Sequence, residues 1–223
     1  MGYKYSINTN FFQQWSDNMA YVLGHLYADG CIMKSRYRIK FSSNDVELVE
    51  KINNILQSNY PILPYLRKNR RFPNFYIGVD SKKMYLDLQN LGLTPQKSKS
   101  MKLPFIPQEY FPHFLRGYLD GDGSIYYDKP TSLSNIRLNT SFWRGSYAFL
   151  DALGRSISEF LEIKHQRVIS WSKRNAYYIR YSTKDSLKFL EYIYQNSVPE
   201  TRLERKFRKY ENYIEIFLYL RKT

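Results

Sequence analysis

The chain has 223 residues, enough for one large domain or two small ones, and 43% of them are apolar, which can supply a core. Its 34 Lys and Arg against 20 Asp and Glu leave a formal charge of +14, spread along the chain rather than gathered in a tail, so a polyanionic partner is the first expectation. The single cysteine, Cys31, excludes an internal disulfide, and no stretch has the apolar length of a signal peptide or membrane span, so we expect no membrane partner and an intracellular, soluble location in cytoplasm, nucleoid or organelle matrix.

In chain order, a helix is predicted from Asp17 to Tyr27, with Gly30 beyond it suited to a chain reversal. Tyr37 to Ser43 alternates, Ile39 and Phe41 on one face and Arg36, Arg38 and Lys40 on the other, as a half-buried strand does. Asn44 offers an N-cap with Glu47 three residues later, opening a helix whose Val46, Val49, Ile52 and Ile55 make an apolar stripe. A hairpin of Tyr65–Arg71 and Asn74–Val79 follows, then a short helix from Ser81 to Leu91. Leu93 to Pro107, with its three prolines, reads as a linker.

From here the chain repeats itself. Val22-Leu-Gly-His-Leu-Tyr-Ala-Asp-Gly30 recurs as Leu115-Arg-Gly-Tyr-Leu-Asp-Gly-Asp-Gly123, offset by 93 residues. Arg38–Ser42 resembles Arg137–Ser141 at an offset of 99, and Phe75–Val79 resembles Tyr177–Tyr181 at 102. The growing offset assigns longer loops to the second copy, chiefly around Tyr126 to Asn135. Its later elements are expected over Lys164–Trp171, Tyr177–Tyr181 and Thr183–Gln195, with a closing helix from about Leu203 to Leu220. Each copy reads as helix, two strands, helix, two strands, helix. The fold class is therefore α+β, with two pseudo-symmetric units, 1–100 and 101–223, in a monomer with an internal pseudo-twofold.

Within each nonapeptide small residues stand four apart, Gly24 and Ala28 in one, Gly117 and Gly121 in the other, and so share a helix face. Faces without bulk let two helices cross closely, which would bring the Asp29-Gly30 and Asp122-Gly123 ends together. Two carboxylates at helix C-termini repel each other and face the negative end of each dipole, so a cation is expected between them. Oxygen ligands suit Mg²⁺, with Mn²⁺ or Ca²⁺ able to substitute, and such ions could activate water against a phosphodiester. His25, His113 and His165 are scattered and read as structural, and no glycine-rich phosphate cradle is present.

The two nonapeptides, VLGHLYADG and LRGYLDGDG, resemble the signature of LAGLIDADG homing endonucleases, and their spacing resembles that of the family's single-chain members. The first departs from the signature at Tyr27, where an acid is usual, and at His25, usually apolar, but keeps the penultimate acid as Asp29. The resemblance covers essentially the whole chain. It implies an αββαββα unit used twice, the motif helices forming the interface and two four-stranded antiparallel sheets making a saddle over DNA. It further implies intron homing by Mg²⁺-dependent cleavage of both strands across the minor groove, leaving 3′ overhangs. Asp29 and Asp122 are then catalytic and hold metal together with Ala28 and Gly121. The resemblance further suggests a basic residue near each acid, Lys97 in the first half and Lys206 in the second, with Lys99 and Arg205 as the alternatives.

A twisted sheet can lie in the major groove and present alternate side chains to base edges. The expected DNA contacts are Arg36, Arg38, Lys40, Arg67, Arg70 and Tyr76 in the first half, and Arg137, Asn139, Ser141, Arg167, Lys173, Tyr178 and Arg180 in the second. The rival expectation is a maturase that binds intron RNA without cutting; the survival of both acids favours the nuclease.

Overall fold

A computed structural model describes residues 5–66, 71–97, 99–128 and 136–222. The first αββαββα repeat consists of α1 (Asp17–Ala28), β1 (Cys31–Met33), β2 (Arg38–Ser43), α2 (Val46–Ile55), β3 (Leu63–Tyr65), β4 (Asn74–Asp80) and α3 (Lys82–Asn90). The second consists of α4 (Phe111–Asp122), β5 (Gly123–Tyr127), β6 (Leu138–Arg144), α5 (Tyr147–Leu161), β7 (Ile169–Trp171), β8 (Ala176–Tyr181) and α6 (Thr183–Tyr194), followed by α7 (Glu204–Lys222). Each repeat folds its strands into a four-stranded antiparallel sheet, in the orders β1-β2-β4-β3 and β5-β6-β8-β7. Among the described residues no helix is long and apolar enough to cross a membrane.

The two ladders share one register. Cys31 faces Lys40 and Phe41 faces Ile77 in the first; Ser124 faces Ser141 and Phe142 faces Ile179 in the second. Lys40 therefore corresponds to Ser141 and Arg38 to Asn139, an offset of 101 that corrects the 99 suggested by the likeness of Arg38–Ser42 to Arg137–Ser141. Register follows the buried face, where Ile39 and Phe41 match Thr140 and Phe142, all fully buried.

Local chemistry sets the helix ends. Ser16 caps α1 by accepting the Met19 N–H, and Ser81 caps α3 by accepting that of Met84. The N-cap of α2 is Asp45, one residue later than expected, because the Asn44 side chain instead accepts a bond from Asn74. The buried stripe of α2 is accordingly Leu48, Val49 and Ile52, continued by Leu56, while Val46 is exposed.

The chain divides into two compact units, Met1–Lys97 with Pro104–Gly121, and Ser98–Leu103 with Asp122–Thr223. This departs from a cut at residue 100, because α4 as far as Gly121 packs with α1. Ten successive residues of α1, Met19 to Ala28, are buried, as expected of a helix covered on all sides. A Cβ on Gly24 would lie 2.1 Å from the Phe114 carbonyl oxygen, and one on Gly117 only 1.9 Å from that of Tyr21. The two main chains touch. A buried bond from Tyr21 Oη to Asp120 Oδ2 at 2.9 Å fastens the same crossing.

At the start of α4, His113 lies 3.3 Å from Asp17 and its Nδ1 2.8 Å from the Arg116 guanidinium. Burial, then the charge of Arg116, hold its pKa below the ordinary 6.5 despite Asp17. The unfolded chain thus takes up this proton more readily. The resulting stabilisation is complete above 6.5 and is lost as pH falls from there through the lowered folded value. Urea midpoints should drop on acidification through this range in the wild type and drop less in His113→Gln; parallel slopes would disprove the assignment.

Candidate active site and nucleic-acid interface

In the first unit Asp29 directly follows α1, its N–H donating to the His25 carbonyl at 2.9 Å and its own carbonyl accepting from Ser42 Oγ at 3.0 Å. The next residue, Gly30, accepts a bond from Lys97 Nζ at 2.7 Å, and Lys97 is only 6% exposed. In the second unit Asp122 is the last residue of α4. Gly123 accepts a bond from Lys206 Nζ, again at 2.7 Å, with Lys206 4% exposed. Each lysine therefore reaches the carbonyl that follows its acid, though one comes from the turn after α3 and the other from the first turn of α7. That difference of source accounts for their unequal sequence distances from the acids.

Sequence reasoning missed Arg144. It ends β6 and its Nη1 donates to Asp122 Oδ2 at 2.8 Å, offsetting a carboxylate at the negative end of α4. By the register its counterpart is Ser43, so comparing the repeats gives no signal for it. Its neighbourhood is fixed by Ser146, which caps α5 and donates to the Met101 carbonyl at 2.8 Å.

Among the described residues no group of three or more His, Cys, Asp or Glu is placed to hold a metal. The histidines stand apart: His25 is buried in α1, His113 neighbours Asp17, and His165 lies 3.4 Å from Asp151.

The first sheet turns Ile39, Phe41, Ile77 and Val79 toward α2 and α3 and presents Arg38, Lys40, Tyr76 and Asp80 on its other face. Arg38 is bidentate to Asp80, at 2.5 and 2.7 Å, and this bonding holds the Asp80 carboxyl below the usual carboxylate range. Lys40 Nζ sits between two rings, 3.8 Å from that of Tyr65 and 4.1 Å from that of Tyr76. Arg36 lies in the turn before β2 with φ of 58°. Arg67 and Arg70 fall outside the described residues.

In the second sheet Arg137, Arg167, Lys173 and Arg180 are exposed and Tyr178 is half-buried. Asn139 and Ser141 are not on an exposed face: they are 0% and 2% exposed, and Asn139 Nδ2 donates to the Arg137 carbonyl. Leu138 to Phe142 is buried without a break, so both faces of that stretch are covered and the alternation expected there fails.

Residues 112–194, which span one αββαββα repeat, match the family model of the LAGLIDADG-like domain. The homing endonuclease I-WcaI, solved bound to its DNA recognition sequence, superposes with a TM-score of 0.60 at 14% identity over 88% of this chain and 90% of its own. The meganuclease I-SmaMI, bound to uncleavable DNA, gives 0.60 at 14% identity over 94% and 91%. Full-length DUF199/WhiA from Thermatoga maritima gives 0.55 at 18% identity over 92% of this chain and 64% of its own. No curated protein matches the chain by sequence. The second repeat thus matches the LAGLIDADG-like domain model, and the fold of the chain is similar to that of these homing-endonuclease structures.

Proposed function

We propose that the protein is a site-specific DNA endonuclease that holds a long duplex target against its two sheets. It makes a staggered double-strand break with 3′ overhangs by metal-dependent phosphodiester hydrolysis. The observation that carries this reading is the repeated pair of contacts in which a buried lysine reaches the carbonyl directly after each motif acid. A second support is the crossing of α1 and α4 in the first unit, where a Cβ on Gly121 would come within 2.4 Å of the Ala28 Cβ. Asp29 and Asp122 each follow these residues in the chain.

The donors at each acid fit Mg²⁺, because a carboxylate and the backbone carbonyl of the residue before it, Ala28 before Asp29 and Gly121 before Asp122, offer oxygen alone, and this ion keeps several waters and binds through one or two carboxylates plus phosphate. When bound, it would neutralise phosphate charge and acidify a coordinated water. The chain's own part is positional. Asp29 and Asp122 would each hold a cation near a scissile phosphate, Arg144 steadies the Asp122 carboxylate, and Lys97 and Lys206 would supply positive charge beside each acid as charge develops on the phosphate.

Selection of cleaved sequences from a randomised or host-derived duplex library with Mg²⁺ tests the reading and yields the target. Binding should lose about 10³–10⁵ in affinity between 50 and 200 mM salt if six to ten phosphates are neutralised. No enriched cut site, together with salt-insensitive association, would refute it.

A further inference from the structure

The second sheet carries a cluster of rings on the face opposite α5 and α6. Trp143 and Tyr178 stack with centroids 4.6 Å apart, Trp143 meets Trp171 at 5.2 Å, and Trp171 meets Tyr178 at 6.2 Å. Ile169, the ladder partner of Tyr178, extends the cluster, and it and Trp171 are 44% and 41% exposed. These are not core residues. Phe142, Ile179 and Tyr181, which alternate with them, point the other way and are fully buried, Phe142 and Tyr181 against Phe189 of α6.

The first sheet differs at the matching positions. There the ring pair Tyr65 and Tyr76 encloses Lys40, whereas the second sheet has the buried Ser141 in place of that lysine. With Asn139 and Ser141 withdrawn, this face offers rings, Ile169 and the exposed Arg180, whose ladder partner is Ser141. Exposed Arg167 and Lys173 flank β7 and supply charge suited to phosphates.

We propose that the Trp143–Trp171–Tyr178 cluster reads thymine C5-methyl groups in the major groove, making one half of the target A·T-selective while the other half is read by charged groups such as Arg38. The inference rests on the duplex-DNA reading above. The thymine methyl is the one apolar group that the major groove displays, so it is the feature an apolar surface can distinguish there. The rings are already packed on one another, and 4.6 Å between Trp143 and Tyr178 leaves no slot for an unpaired base. A preformed apolar surface against duplex is favoured over a stacking platform for single strands.

The test uses the full chain and a duplex pool without Mg²⁺. Bound sequences should show a run of preferred thymines confined to one half of the target. Replacing those thymines singly by deoxyuridine removes only the methyl and should weaken wild-type binding about fourfold per position. Trp171→Ala should abolish that sensitivity and leave base preferences in the other half unchanged; Trp171→Phe, which keeps a ring, should retain most of it. Deoxyuridine without effect, or Trp171→Ala with the wild-type response, overturns the inference while preferences in the other half leave the nuclease reading standing. No base preference anywhere overturns both. Single-stranded RNA that outcompetes duplex, and stops doing so in Trp171→Ala, overturns it in favour of base stacking.

Discussion

Asp29→Asn and Asp122→Asn should each abolish double-strand cleavage while DNA binding persists. The amide keeps the size of the side chain but removes the charge that would hold a divalent ion. Losing the several kcal/mol such an ion contributes at the transition state corresponds to a fall of about 10³-fold or more. Binding draws on many phosphates and is little altered by one charge in the site. The two variants should differ in stability. Asp122→Asn also breaks the 2.8 Å pair with Arg144, whose side chain is only 10% exposed, at a cost of about 1 kcal/mol. Cleavage of supercoiled plasmid carrying the selected target, read as nicked and linear products beside a binding titration, decides the matter. Wild-type yields of linear product from either variant would remove that acid from the chemistry.

Gly117→Ala and Gly24→Ala should be severely destabilising, although alanine is the better helix former by about 1 kcal/mol. The added methyl meets backbone, not a movable side chain, at 1.9 Å from the Tyr21 oxygen in one case and 2.1 Å from the Phe114 oxygen in the other. Relief requires α1 and α4 to separate. Overpacking of this kind costs about 1–3 kcal/mol and more when backbone must shift, so the clash outweighs the propensity gain. Gly78→Ala is the control, since its Cβ would find nothing nearer than the Tyr76 ring at 3.6 Å. Melting temperatures of the three variants give the ranking. Alanine at 117 melting like the wild type would mean that the helices do not meet as described.

What could be read from the sequence was whatever the chain states twice and at close range. The motif helices were legible because a nonapeptide recurs, and its small residues dictate a close crossing. Sheet register was not, because a five-residue likeness around Arg38 and Arg137 carries less information than the buried face that sets the pairing. Asn139 and Ser141 looked like readers by alternation alone, which cannot reveal a stretch covered on both sides. Lys97 and Lys206 came from family resemblance; their equivalence lies in the carbonyls they reach from different elements, which spacing cannot express. Arg144 had no signal, since its counterpart is a serine. The ring cluster was split in the same way: Tyr178 was legible as a face residue, while Trp143 and Trp171 join it only once three strands are paired.

The Gly24–Gly117 crossing also bears on how far such a chain can diverge. A joint formed where main chain meets main chain asks for the absence of a side chain at a handful of sites and is indifferent to the chemistry of the rest. Structures sharing only 14% of their residues with this chain superpose on most of its length. The exposed faces of the sheets are at liberty to change without disturbing that joint.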